Sequence, residues 1–326
     1  MVEIHPTKGF WLKLALSVVI TAGIVSFLLR YVSWSDLQGL FSRANLWLLT
    51  VPPTLVLMYF VRAWAFRLLA PTTPLGSMWS IMAMHNFLLR VLPMRMGELS
   101  YAFLVRHTGA VDLGSSLIGL LLIRLLDATV IVVIFAGALL FDSALYYGDA
   151  SLGLAVAAGG IALGVAMVFA LRPLLAAGVW CLSVVLRLLG LQRRPRVASG
   201  LAKMRETVDT YARYSLRFIF AQACLAALVW ALNFLMVYQI LRGFGIQASL
   251  PQAVLGSTAA TLSSLLPVGG IGSFGALEAG WVLGFSLVGF ERNVAVASAL
   301  GYSLYTFVLM GLFAIVGAWL SRRSRP

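Results

Sequence analysis

SSLIGLLLIRLLDATVIVVIFAGALLF, residues 115–141, is an unbroken apolar run whose only ionisable residues are Arg124 and Asp127. A hydrocarbon core about 30 Å thick takes roughly 20 apolar residues as a helix. The run therefore predicts a membrane-spanning helix with an arginine and an aspartate inside it. The whole chain agrees. Of its 326 residues, 61% are hydrophobic and only 11% charged, with a mean hydropathy of +0.96. A soluble domain carries about 25% charged residues, so a soluble enzyme, a disordered chain and a disulfide-stapled secreted module are excluded. The expected class is an all-α, polytopic integral membrane protein forming a single transmembrane domain over residues 1–326.

Other apolar runs near 10–29, 46–69, 151–171, 218–241 and 294–320 bring the expected full spans to six. The first resembles a signal peptide, but no small-residue cleavage site follows Arg30, so it reads as an uncleaved span. Two further apolar stretches, 77–104 and 251–290, are broken by proline, glycine and charge. Positive charge sets the orientation. Lys8 and Lys13 stand at the N-terminus, and Arg322, Arg323 and Arg325 at the C-terminus. Residues 187–217 hold Arg187, Arg193, Arg194, Arg196, Lys203, Arg205, Arg213 and Arg217, whereas loop 142–150 holds only Asp142 and Asp149. With the basic regions cytoplasmic, the span count closes only if both interrupted stretches are re-entrant hairpins. The two halves then run in opposite directions, as in inverted-repeat transporters. A short echo accompanies this: Leu92-Pro93 precedes Gly97-Glu98, and Leu266-Pro267 precedes Gly269, Gly270 and Glu278. Residues 172–217 read as a basic cytoplasmic interfacial insert, a helix pair against anionic headgroups. They do not read as a nucleic-acid site.

Ionisable residues at membrane depth carry the functional information. The candidates are Arg90, Arg95, Glu98, Arg124, Asp127 and Glu278. At about 2.5–3.5 kcal/mol each on the insertion scale, leaving six facing lipid would cost roughly 15–20 kcal/mol. They must face one another or water. Arg62 and Arg67 lie nearer the end of their span and read as snorkelling. Arg124 and Asp127 share a helix face; a structural ion pair and a functional pair are both open readings. Pro93 reads as the start of a new helix, and Ser273 as a cap for another. The helix N-termini would offer amides to an anion, and with Arg90, Arg95 and Arg124 nearby the fitting guest is a phosphate headgroup. His85 reads as packing with its neighbour Asn86. Gly270-Ile-Gly272-Ser-Phe-Gly275 fits a dinucleotide fingerprint without the strand that it needs. Gly160-x-x-x-Gly164 and Gly280-x-x-x-Gly284 read as helix-packing motifs. Cys181, Cys224, His5, His85 and His107 have no ligand spacing, so neither metal nor cofactor is expected.

Arg90-Val-Leu-Pro93-Met-Arg95-Met-Gly97-Glu98, then Arg124-Leu-Leu-Asp127, then Leu266-Pro267-Val-Gly269-Gly270-Ile-Gly272 through Glu278, together resemble the lysylphosphatidylglycerol synthase transmembrane family, also called flippase-like. The motifs follow in order over most of the chain. Two departures stand out: Val268 precedes the glycines, and Glu278 lies further on than the family's glutamate. The resemblance implies a bacterial inner-membrane protein with two re-entrant hairpins. Their turns would be built on Pro93, Gly97, Pro267, Gly269, Gly270 and Gly272, and the protein would move an anionic or modified lipid between leaflets. The full-length synthases add a soluble aminoacyl-transferase domain, and aminoacyl transfer is not carried over to this chain.

The expected function is thus a non-enzymatic lipid translocase with cytoplasmic termini, binding an anionic phospholipid or lipid-linked headgroup, either alone or as a homo-oligomer. The rival expectations are a membrane-embedded transferase using Glu98 or Asp127 as a base, and a scaffold in which the charges only pin helices.

Overall fold

A computed structural model describes residues 34–92, 96–106, 108, 111–141, 150–191, 194–212, 214–264 and 275–323. Among them every regular element is helical. Helix α1 (Trp34–Ser42) and a 3-10 turn (Leu46–Thr50) lead into α2 (Val51–Leu69), α3 (Leu75–Val91), α4 (Met96–Arg106) and α5 (Leu113–Phe141). The chain continues through α6 (Ala150–Phe169), α7 (Leu171–Leu188) and α8 (Pro195–Ala212). It ends with α9 (Leu216–Gly243), α10 (Leu250–Ser264), α11 (Ala276–Leu287) and α12 (Arg292–Arg323). By length and apolarity, Leu46–Leu69, Leu113–Leu140, Leu171–Leu188, Leu216–Gly243 and Arg292–Arg322 are each fit to cross a membrane. The first expected span, 10–29, lies outside the described residues.

Helix starts follow from local chemistry. The Asn45 side chain accepts from Trp47 N to open the 3-10 turn. Pro52 and Pro53 sit in the first turn of α2, where backbone N–H groups have no helical partner to lose. Asp112 caps α5, accepting from Ser115 N at 3.0 Å and Ser115 Oγ at 2.7 Å. Partial burial pushes its carboxyl up, but the Ser115 and Gly114 hydrogen bonds hold it below the ordinary carboxylate range. Ser249 and Gln252 cap α10 reciprocally, each side chain bonded to the other's backbone N–H.

The two interrupted stretches are antiparallel helical hairpins. In the first, α3 packs on α4; His85 Nδ1 meets Ser100 Oγ at 2.8 Å, so its partner is across the hairpin rather than Asn86. In the second, α10 packs on α11; Ser263 Oγ donates to Ala276 O at 2.7 Å near the tip, and Gln252 Nε2 to Val288 O at 3.2 Å near the base. Glycine sets the closeness of this second hairpin. A Cβ on Gly284 would overlap the Gly256 carbonyl oxygen, and one on Gly280 the Ser263 side chain. At 1.5 Å per residue, α4 and α11 are only about 16–18 Å long, well short of the hydrocarbon core.

Around the hairpins the neighbours repeat. Helix α2 touches α3, α4 touches α5, α9 touches α10 and α11 touches α12; α3 also packs on α12, and α10 on α5. At the centre α2 and α9 run antiparallel. Asn45 N donates to Gly243 O at 3.0 Å at one end, and Gln222 Nε2 to Ala65 O at 3.0 Å towards the other. The two four-helix units, α2–α5 and α9–α12, therefore begin with helices that run in opposite directions.

The region 150–217 departs from expectation. Helices α6 and α7 follow one path along α5. Gly160 and Gly164 lie against Ala136 and Val133, and Gly178 further along against Leu121. The path breaks at Ala170, and Pro173, lacking an N–H, falls in the first turn of α7. Helix α7 is also apolar enough to be a span, which the reading of 172–217 as one interfacial insert did not allow for. Its buried stripe of Leu171, Leu175 and Val179 joins Leu201, Met204 and Val208 of α8 over Ile118 and Leu122.

Gly284→Val is expected to destabilise the protein by about 1–3 kcal/mol through overpacking, read as a lowered Tm in detergent. Gly137→Val, with nothing within 4 Å of the added Cβ, should be close to neutral. Equal shifts for the two variants would contradict the hairpin packing.

Candidate functional site

Between the two units lies a cavity of about 640 Å³, within the roughly 300–1,000 Å³ usual for ligand pockets. Both hairpins wall it, with α5, α9 and α12. Its polar lining is Asn86, Arg90, Glu98, Arg124, Asp127, Asn233, Ser257, Thr261 and Tyr302, and Trp230 and Trp281 join apolar side chains on the walls. Four of the expected residues, Arg90, Glu98, Arg124 and Asp127, thus meet in one place.

Three of the four belong to a line of alternating charge. Helix α5 carries Arg124 and Asp127 near its midpoint, one turn apart. Helix α4 brings Glu98 in its first turn, where the helix N-terminus favours a carboxylate. Glu98 Oε2 accepts from Arg124 Nε at 3.0 Å and from Nη2 at 2.7 Å. Arg124 Nη1 lies 3.6 Å from Asp127 Oδ2. On the far side, Arg62 Nη1 donates to Asp127 Oδ1 at 2.8 Å. Exposure divides the line. The Arg62 and Asp127 side chains are 13% and 4% exposed, those of Arg124 and Glu98 37% and 28%. The first pair is locked between α2 and α5; the second opens on the cavity.

Arg90, at the end of α3, is held differently. Its Nη2 donates to Thr306 Oγ1 at 3.3 Å, and its guanidinium lies 5.8 Å from the centre of the Tyr302 ring. Among the described residues no carboxylate lies within ion-pair distance of it. A guanidinium has five donors in a planar fork that matches phosphate, and most of Arg90's are not used by these contacts.

Glu278 has another place. It is 1% exposed and does not line the cavity. Its Oε2 accepts from Gly275 N at 2.5 Å, capping α11, and its Oε1 accepts from Ser303 Oγ. The N-cap of α11 is Gly275, at φ +99°, rather than Ser273. The amide expected to await an anion is filled by the protein's own carboxylate. Gly97, in the first turn of α4, packs against the backbone of Leu88 and Leu89. Pro93, Arg95, Pro267, Gly269, Gly270 and Gly272 lie outside the described residues.

Arg62 is the residue that sequence reasoning misplaced. It does not snorkel. It stands well inside α2 and faces the antiparallel α5, a position at which an ionisable group needs a partner. Asn233, Tyr302 and Trp281 also escaped notice, since nothing in their spacing marks a cavity wall.

Arg62→Met and Asp127→Leu are each expected to lower stability by about 3–5 kcal/mol, because either leaves a buried charge unpaired. The double variant should recover much of that loss. Glu98→Gln, at the more exposed pair, should stay within about 1 kcal/mol of wild type. Thermal unfolding in detergent measures all four; additive losses in the double variant would contradict the buried pair.

Residues 11–314 match the protein family described as the lysylphosphatidylglycerol synthase TM region. No curated protein and no solved structure matches the chain. Matched over nearly its whole length, and built from membrane-length apolar helices, this multi-pass membrane protein belongs to the lysylphosphatidylglycerol synthase transmembrane-region family.

Proposed function

We propose that this protein is a non-enzymatic lipid translocase. A phosphate-bearing headgroup enters the cavity between the two hairpins while its acyl chains stay in the hydrocarbon. Arg90 and Arg124 receive the phosphate, Glu98 orients Arg124, and Asp127 with Arg62 holds α5 against α2. Arg95 joins the arginines on sequence grounds. The hairpins act as re-entrant elements entering from opposite faces of a bacterial inner membrane, with both termini cytoplasmic, as the basic runs at 187–217 and the chain ends support.

One observation carries this reading: Arg90 projects toward a membrane-embedded cavity with no carboxylate partner among the described residues. An uncompensated guanidinium in hydrocarbon is costly, and an anionic guest removes that cost. A scaffold role accounts for Arg62 and Asp127 but leaves Arg90 and the cavity without a purpose. A transferase would need Glu98 or Asp127 as a base, and both are engaged by arginines.

In proteoliposomes carrying a trace of acyl-labelled phosphatidylglycerol, wild type should expose the inner-leaflet label to an external quencher. Arg90→Ala should slow this at least about tenfold, in keeping with the loss of a charged contact worth about 1.5–3 kcal/mol, with the unfolding temperature retained. Equal rates for wild type and variant would overturn the site.

A further inference from the structure

Neither edge of the Arg124 guanidinium is idle. A guanidinium grips an anion with a pair of N–H groups along one edge. The edge formed by Nε and Nη2 is on Glu98 Oε2, at 3.0 and 2.7 Å. The remaining nitrogen, Nη1, is turned to Asp127 Oδ2 at 3.6 Å. A phosphate that takes either edge must therefore push a carboxylate aside.

The two carboxylates are not equally movable. Asp127 is almost wholly buried and held from behind by Arg62 at 2.8 Å. Glu98 is partly exposed, lines the cavity, and among the described residues bonds through its carboxylate to Arg124 alone. Glu98 is the one that yields. Its other neighbours do not replace the lost arginine. On α3, His85 is buried and bonded to Ser100, and Arg90 is turned to the same phosphate. On α5, Asp127 repels it, and on α2, Arg62 is taken by Asp127. The first turn of α4 favours its charge less than a guanidinium bonded at 2.7 Å does. A carboxylate stranded beside a phosphate at membrane depth takes up a proton.

We propose that the protein moves a proton together with the lipid, and that Glu98 carries it. The phosphate displaces Glu98 from Arg124, and Glu98 takes one proton from the aqueous side to which the cavity is then open. When the headgroup leaves on the other side, Arg124 returns to Glu98 and the proton is given up there. The phosphodiester brings one negative charge and the proton one positive charge. The cavity thus carries the same charge loaded and empty, and no net charge crosses the hydrocarbon. The inference rests on the transport reading above and adds its driving force.

The test uses the full chain in phosphatidylcholine vesicles with a trace of acyl-labelled phosphatidylglycerol and an interior one pH unit more acid than the medium. An external quencher reads the label in each leaflet, over a period in which protein-free vesicles show no movement. One proton per lipid sets a ratio of about ten per pH unit, so wild type should leave about ten times more label outside than inside. Glu98→Gln, which stays neutral and cannot carry the proton, should bring the two leaflets to equal label whatever the gradient. A ratio of one in wild type, with the label moving freely, would overturn the coupling while leaving transport standing. A tenfold ratio in Glu98→Gln, or no movement of label by the folded variant, would overturn Glu98 as the carrier. No movement by folded wild type would overturn the transport reading itself.

Discussion

The contact on which the rest depends is the one between Arg62 and Asp127. Each charge alone would make its helix expensive to insert. Together, at 2.8 Å and almost wholly buried, they bridge α2 and α5, each of which packs on α9. With Asp127 anchored from behind, Arg124 one turn earlier on the same face is turned toward the cavity and toward Glu98. Glu98 in turn fixes the first turn of α4, and so the tip of the first hairpin. A line of four alternating charges therefore sets where two spans and one hairpin meet.

The second unit builds the same arrangement without the charge. Glu98 and Glu278 each stand third in the second helix of their hairpin, and each reaches the span that follows. Glu98 finds Arg124 there, whereas Glu278 finds Ser303 and the Gly275 amide. The two positions correspond in the neighbour pattern but not in chemistry. In the second hairpin the glutamate is sealed, and glycines at 256, 280 and 284 draw the helices close. In the first, the glutamate and its arginine stay partly exposed in the cavity. The charge lining the cavity is thus concentrated in the first unit, packed against a tighter and more neutral one.

Much of this was legible in the amino-acid order. Apolar length marked the spans at 46–69, 115–141, 218–241 and 294–320, because helix length in a bilayer is fixed by its thickness. The rarity of charge marked Arg90, Glu98, Arg124 and Asp127, and these four share the cavity. What was not legible depended on rotation and on bends. Arg62 reads in sequence as near a span end, and only the fold shows its side chain turned inward to Asp127. Glu278 resembles Glu98 in sequence, but whether a first-turn glutamate caps its own helix or reaches a ligand depends on what the next span presents, serine or arginine. The break at Ala170, which divides the path beside α5 between α6 and α7, follows from Pro173 and moves a boundary that hydropathy alone put near residue 171.

The central claim is that a lipid phosphate sits between the hairpins, on the arginines that the ion-pair line leaves available. An electron cryo-microscopy map of the protein in nanodiscs of phosphatidylglycerol addresses it directly. The account predicts headgroup density inside the cavity, with phosphate oxygens within hydrogen-bond reach of Arg90 and Arg124 and acyl chains running out between helices. Headgroups confined to the membrane surfaces, around a cavity filled only by water or by protein side chains, would contradict it.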